Sequence, residues 1–189
     1  MPDGGSTLVW PAQEYLAGYV AALQRGWSPN TLRPEAGAEE LRAIGEDSTA
    51  FLAMLVDKEG RGPPIKLPDG STVPALPGYR KWIWDGEFCG SIGLRWSPGT
   101  SSLPSHCPGH IGYSVVPWKQ RRGHATQALR QLLIEAKALG LDHVVITTDP
   151  ANEPSQRVVL SNGGVLVGRY RKPEQLGSGD DLHFRLDLV

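Results

Sequence analysis

His110-Ile111-Gly112-Tyr113-Ser114-Val115-Val116-Pro117-Trp118-Lys119-Gln120-Arg121-Arg122-Gly123-His124-Ala125 opens the part of the chain whose reading decides the fold. Residues 110–116 alternate as a strand does, with His110, Gly112 and Ser114 on one face and Ile111, Tyr113 and Val115 on the other. After the basic turn, Ala125, Ala128, Leu129, Leu132, Leu133, Ala136 and Leu139 form one apolar helical stripe that Gly140 closes. Strand, basic glycine turn and helix in that order make an anion site. The first amides of a helix have no partner within it, and the helix dipole favours negative charge there. Arg121 and Arg122 add fixed positive charge, and a glycine at 123 lets backbone approach an anion closely. A phosphate or pyrophosphate group is the expected guest.

Downstream, residues 143–148 have the continuous apolar centre of a buried strand. Residues 152–162 read as a last helix ended by Gly163-Gly164. Strands follow at 165–169 and 183–188, joined by a polar connection over 171–181. Upstream, Tyr79 to Trp84 and Glu87 to Trp96 are separated by Asp85-Gly86, the signal of a tight antiparallel hairpin. Gly90 and Gly93 mark a bulge or the close approach of another backbone. The loop from Ser97 to Gly109 carries His106 and Cys107 and is longer than an idle connection usually is. Residues 65–76 read as a small hairpin or loop turning at Leu67-Pro68-Asp69-Gly70-Ser71.

At the N-terminal end, residues 6–10 form a strand, and Pro11 opens a helix through Gly26 with Tyr15, Leu16, Tyr19, Val20, Leu23 and Trp27 at helical spacing. A second helical region begins near Pro34 and carries Leu41 and Ile44. Ser48 or Thr49 then caps a continuation through Phe51, Leu52 and Leu55 that ends near Gly60.

Composition narrows the function. The 189 residues suit one well-cored domain, and a net charge of −1 offers no long-range attraction to nucleic acid or anionic membrane. No stretch approaches the roughly 18 apolar residues of a membrane span, and no basic-then-hydrophobic leader pattern is present, so a cytoplasmic protein is expected. Without secretory context, Cys89 and Cys107 are expected as thiols, and no Cys/His spacing suggests a metal. Six tryptophans, three of them (Trp82, Trp84 and Trp96) in one hairpin region, are expected to pack in the core.

Gln120-Arg121-Arg122-Gly123-His124-Ala125, preceded by Val115-Val116-Pro117 and followed by Asn152-x-x-Ser155, resembles the GNAT superfamily of acyl-CoA-dependent N-acyltransferases. The pyrophosphate loop of that family reads Gln/Arg-x-x-Gly-x-Gly/Ala. Asn-x-x-Ser is the form seen in the branch with ribosomal-protein N-terminal acetyltransferases. A P-loop nucleotide site is a poor alternative, since the loop lacks Gly-Lys-Ser/Thr.

The resemblance spans about residues 80–170. It implies a single α/β (α+β) domain over 1–189, with a mixed, mostly antiparallel sheet flanked by helices and central strands splayed at the acyl-CoA site. The N-terminal helices and the 60–79 segment fall on the acceptor side, near Tyr15, Tyr19 and Trp27. Acetyl-CoA is the implied cofactor. Backbone of Ser114, Val115 and Val116 would line its pantetheine arm, and Gln120, Arg121, Arg122, Gly123, His124, Ala125 and Thr126 would wrap the pyrophosphate, with Asn152 and Ser155 close by. The implied reaction is direct acetyl transfer to a primary amine of a small molecule or peptide.

The resemblance also supplies catalytic candidates. Ser155 is either the proton donor to the leaving sulfur or a hydroxyl that only caps the helix. His110 stands where that branch often has an acidic residue, and an imidazole with an ordinary pKa near 6.5 suits a general base. Glu87, Tyr113 and ordered water are the other candidates. Val159 replaces a tyrosine that many members carry seven residues after the asparagine, and Thr147 replaces a glutamate on the preceding strand. These departures keep open a catalytically weak, acyl-CoA-binding regulatory module. Edge strands of such a fold often pair, which is compatible with a homodimer.

Overall fold

The computed structural model describes residues 5–31, 33–67, 70–172 and 179–188. Its elements in chain order are β1 (Thr7–Val9), α1 (Gln13–Gln24), α2 (Ala36–Met54), β2 (Val56–Asp57), β3 (Ile65–Lys66), β4 (Thr72–Val73), β5 (Gly78–Trp84), β6 (Phe88–Arg95), β7 (Ile111–Val115), α3 (His124–Ala138), β8 (His143–Thr148), α4 (Glu153–Leu160), β9 (Val165–Arg171) and β10 (Asp180–Asp187). The expected turn at Pro68-Asp69 and most of the expected connection at 173–178 lie outside the described residues.

Asp85-Gly86 turns β5 back on β6, and the pair is the backbone of one sheet ordered β1-β5-β6-β7, with β2 also on β5. A second sheet runs β8-β10-β9, and β3 pairs with β4 as the expected small hairpin. Every ladder among the described residues is antiparallel. The register of β5 on β6 shifts between Ile83 and Trp84, so the bulge expected near Gly90 is present. Gly90 has φ 153°, and a Cβ there would stand 2.2 Å from the Ser114 carbonyl oxygen. Only glycine lets β7 lie this close at that point.

Two cores follow from the alternation of β5 and β6. Ile83, Ile92 and Leu94 turn towards Leu129 and Leu132 of α3 and Val144, Ile146, Phe184 and Leu186 of the second sheet. Trp82 and Phe88 turn the other way, into Leu16, Tyr19, Leu23, Trp27 and Phe51 from α1, the α1–α2 linker and α2. Tyr19 stacks on Trp82 with ring centroids 4.7 Å apart, and its hydroxyl meets Glu40 and Arg80. Tyr19 and Trp27, which lie at helical spacing and which the resemblance also set near the acceptor, pack as core side chains, as does Trp82.

Two local expectations need revision. Helix α2 kinks at Asp47 (φ −157°, ψ 98°), whose Oδ1 accepts from the amides of Thr49 and Ala50; Asp47, not Ser48 or Thr49, is the internal cap. The helix stops at Met54, and the residues expected to continue it begin the short strand β2 on the edge of β5. No helix among the described residues is long and apolar enough to cross a membrane.

The functional consequence lies between the sheets. β7 ends the first and β8 ends the second, and no ladder joins them. They touch at His110, whose N–H donates to the Val145 carbonyl oxygen at 2.8 Å. Beyond that point they part, which is the expected splay.

Candidate active site

The loop leading into α3 is built to hold an anion. After a 3-10 turn at Pro117–Lys119, Gln120 is extended, Arg121 takes φ 63° and Gly123 takes φ 82°. Arg121 is the one non-glycine residue with positive φ among the described residues, a conformation that costs free energy and collects at functional loops. The helix that follows is 15 residues long and has no side-chain cap. Its first helical bond at this end runs from the Gln127 amide to the Gly123 carbonyl at 3.0 Å, so the amides of His124, Ala125 and Thr126 lie ahead of it. Arg121, Arg122 and Gly123 are exposed, and nothing lies within 4 Å of where a Gly123 side chain would begin. The loop is anchored from below by Lys119, whose Nζ reaches Asp85 at 2.6 Å and Glu87 at 2.9 Å. Gln120 is anchored from the side, its Nε2 donating to the Val115 carbonyl at 3.2 Å.

The strand wall of the gap has a definite polarity. The Val116 amide donates to the Cys89 carbonyl, and the Arg95 amide donates to the His110 carbonyl. Even-numbered backbone positions of β7 therefore face β6, and the backbone of Tyr113 and Val115 faces the gap. Of the three residues whose backbone the resemblance sets along the pantetheine arm, Val115 turns its backbone to the gap, and Ser114 and Val116 turn theirs to β6. The Ser114 hydroxyl instead accepts from Trp27 Nε1 at 3.0 Å and donates to the Ser28 carbonyl at 3.2 Å, tying the α1–α2 linker to β7. Val116 is fully buried under α1.

Across the gap, α4 begins at Asn152, whose Oδ1 accepts from the Ser155 amide at 3.2 Å. Asn152 is thus the cap, and the Ser155 hydroxyl is left for other work. It lies 2.8 Å from the Tyr113 hydroxyl, bridging α4 to β7. Burial pushes the Tyr113 phenol up to about 12, so it stays protonated. The sequence offers Tyr113 only among several base candidates, because the pairing joins residues 42 apart and has no local signal. Val159 is fully buried in the core.

His110 is fully buried. Its Nδ1 accepts from the Val145 amide at 2.9 Å while its own amide donates to the Val145 carbonyl, so one residue satisfies both polar groups of Val145. Burial, with His143 nearby, pulls the imidazole down to about 4. Glu87 is held by Lys119, and His124 turns its side chain inward, so it offers the loop only its amide. Both cysteines are free and buried.

A split sheet with an uncapped helix start at the mouth of the split defines an acyltransferase of GNAT type. The sequence matches the acetyltransferase (GNAT) domain family over residues 71–165, just over half of the chain, and the chain belongs to that family of enzymes. Among solved structures it is similar to the microcin C7 self-immunity acetyltransferase MccE in complex with acetyl-CoA and AMP. That match has 17% identity, covers 97% of this chain and 92% of the other, and has a TM-score of 0.62. The ribosomal L7/L12 alpha-N-protein acetyltransferase RimL, solved in complex with coenzyme A, matches at 14% identity over 97% and 94% of the chains, TM-score 0.62. The ribosomal-protein-S5-alanine acetyltransferase from Vibrio fischeri matches at 18% identity over 96% and 92%, TM-score 0.57. These likenesses show the fold. No individual curated protein matches the sequence.

Proposed function

We propose that this chain is an N-acetyltransferase that moves the acetyl group of acetyl-CoA directly to a primary amine of a small molecule or peptide. The observation that carries the reading is the uncapped start of α3, flanked by Arg121 and Arg122, at the mouth of the gap between β7 and β8. Acetyl-CoA fits that arrangement, and when bound it supplies an activated acetyl thioester. The amides of Gly123, His124, Ala125 and Thr126, with Arg121 and Arg122, would hold its pyrophosphate. Gln120 braces the loop through Val115. Backbone of Tyr113 and Val115 would meet the pantetheine arm in the gap, beside Asn152 and Ser155.

Ser155 Oγ donates its proton to the leaving sulfur as the C–S bond breaks, Tyr113, held protonated by burial, orients it and passes it a proton, and solvent water returns one to Tyr113. We assign His110 to pinning β7 against β8 rather than to base catalysis. Its Nδ1 is engaged and burial weakens it as a proton acceptor, which leaves deprotonation of the amine to solvent water. Two acidic groups of α2 are paired: Glu39 with Arg33, and Glu40 with Arg80 and Tyr19. Action in the cytoplasm, without a nucleic-acid or membrane partner, is part of this proposal; a net charge of −1 offers no long-range attraction to either polyanion. A thiol-release screen with acetyl-CoA over a broad amine panel tests the function. Sustained release with one amine class is expected. Acetyl-CoA binding without release for any amine would replace the enzyme with a regulatory module.

A further inference from the structure

Beneath the cofactor loop, three ligand-type side chains from different elements converge. Asp85 comes from the β5–β6 turn, Cys89 from β6 and His124 from the first position of α3. Their donor atoms all lie within 4.8 Å of one another. Cys89 is fully buried, His124 is 5% exposed, and neither ring nitrogen of His124 has a hydrogen-bond partner among the described residues. The ring is nonetheless aimed at the cluster, with Nε2 3.5 Å from Asp85 Oδ2. A buried imidazole with both nitrogens unsatisfied is costly, and buried polar groups of this kind usually mark a missing partner.

We propose that Asp85 Oδ2, Cys89 Sγ and a ring nitrogen of His124 form a site for a thiophilic divalent cation of the zinc type. The donor set selects the ion. Thiolate with imidazole suits zinc and its neighbours, whereas magnesium and calcium demand oxygen ligands. Zinc lies about 2.3 Å from sulfur and about 2.0 Å from nitrogen, so its tetrahedral ligands stand less than about 4 Å apart. The 4.8 Å within which the donor atoms lie exceeds that spacing by roughly an ångström.

Lys119 does not compete for the ligand oxygen. Its Nζ takes Asp85 Oδ1 at 2.6 Å and leaves Oδ2 turned to His124, the arrangement of an outer partner that orients a ligating carboxylate. On binding, the Cys89 S–H bond breaks, a sulfur–metal bond forms and the proton leaves to solvent. Thiolate and carboxylate then neutralise the cation, while Glu87 at 2.9 Å balances Lys119. Lys119 and His124 bracket Gln120–Gly123, so a cation here fixes the cofactor loop from below. Sequence spacing gave no hint, because 34 residues separate the thiol from the imidazole.

The test uses full-length protein stripped with a chelator and titrated with cobalt(II), with no acyl-CoA present, so it stands apart from the acetyltransferase reading. We expect one cobalt per chain with a thiolate-to-metal charge-transfer absorption, displaced by zinc. The absorption should persist in Cys107→Ser and vanish in Cys89→Ser, and His124→Asn should weaken cobalt binding at least tenfold. Absence of the absorption in wild type, or its loss in Cys107→Ser, overturns the site. The wild-type spectrum reads thiolate ligation directly, so the outcome does not depend on every variant folding.

Discussion

At the scale of single residues, the two catalytic candidates of the sequence, Ser155 and His110, stand in different surroundings, one hydrogen-bonded to Tyr113 and one buried against Val145. Asn152 caps α4, so in the proposed reaction the Ser155 hydroxyl is available as proton source. Ser155→Ala should lower kcat by roughly a hundredfold, the ordinary worth of a positioned acid, with little change in acetyl-CoA Kd. Tyr113→Phe keeps the ring in the core and should lower kcat by less. Steady-state kinetics decide this: an unchanged kcat in Ser155→Ala removes the serine as proton source. His110 should reveal itself through stability instead. Its folded pKa of about 4 lies below the unfolded value near 6.5, so the folded chain resists a proton that the unfolded chain accepts. The His110 contribution is complete above about pH 6.5 and fades as pH falls towards 4, by up to roughly 3 kcal/mol. His110→Asn retains an acceptor for the Val145 amide but cannot titrate. Urea midpoints at pH 7.5 and 5 should therefore differ less in the variant than in wild type. His124, His143 and His183, all pulled down by burial, contribute to the slope that remains. Identical pH dependence in both proteins would contradict the assignment of His110 as a buried pin.

At the scale of elements, β9 is the anomaly. It is the edge strand of the second sheet, yet Val165, Leu166, Val167 and Tyr170 are 50–64% exposed. An uncovered apolar edge is an aggregation hazard that natural proteins normally cover. We propose that a second copy covers it through antiparallel pairing of β9 with itself. Pairing about Gly168 sets Leu166 opposite Tyr170 and Val167 opposite Arg169, with no arginine facing arginine. Sedimentation should show a dimer for wild type and a monomer for Leu166→Asp. A monomeric wild type at micromolar concentration would leave the edge without this partner. The other elements were largely legible because their signals are local. The Asp85-Gly86 turn, the apolar stripe of α3 and the continuous apolar run of β8 each sit within a few residues. Short β2 was not legible, since two residues carry no periodicity, and the kink at Asp47 was assigned to its neighbours because several adjacent polar residues satisfy the same capping rule.

At the scale of the whole molecule, the split between two sheets and the helix start at its mouth make one device. That device was readable from the strand-loop-helix order around Gly123, because backbone chemistry there depends on local sequence. Contacts across the gap were not readable. His110 meets Val145 35 residues away, Tyr113 meets Ser155 42 residues away, and Ser114 meets Trp27 87 residues away. A strand pattern gives the face on which such a side chain lies but not the partner that waits there. For the same reason, the inward turn of the His124 side chain was hidden, although its place in the loop was plain. The central claim is that the loop at the mouth of the split holds the pyrophosphate of acetyl-CoA. Isothermal titration of acetyl-CoA into wild type and Gly123→Asp tests it most directly. Wild type should bind one acetyl-CoA per chain, and Gly123→Asp should lose binding, since it strains a left-handed position and sets a carboxylate at the anion site. Its circular dichroism should remain that of the folded protein. Equal affinity in the two folded proteins, or no binding by wild type, would contradict the account.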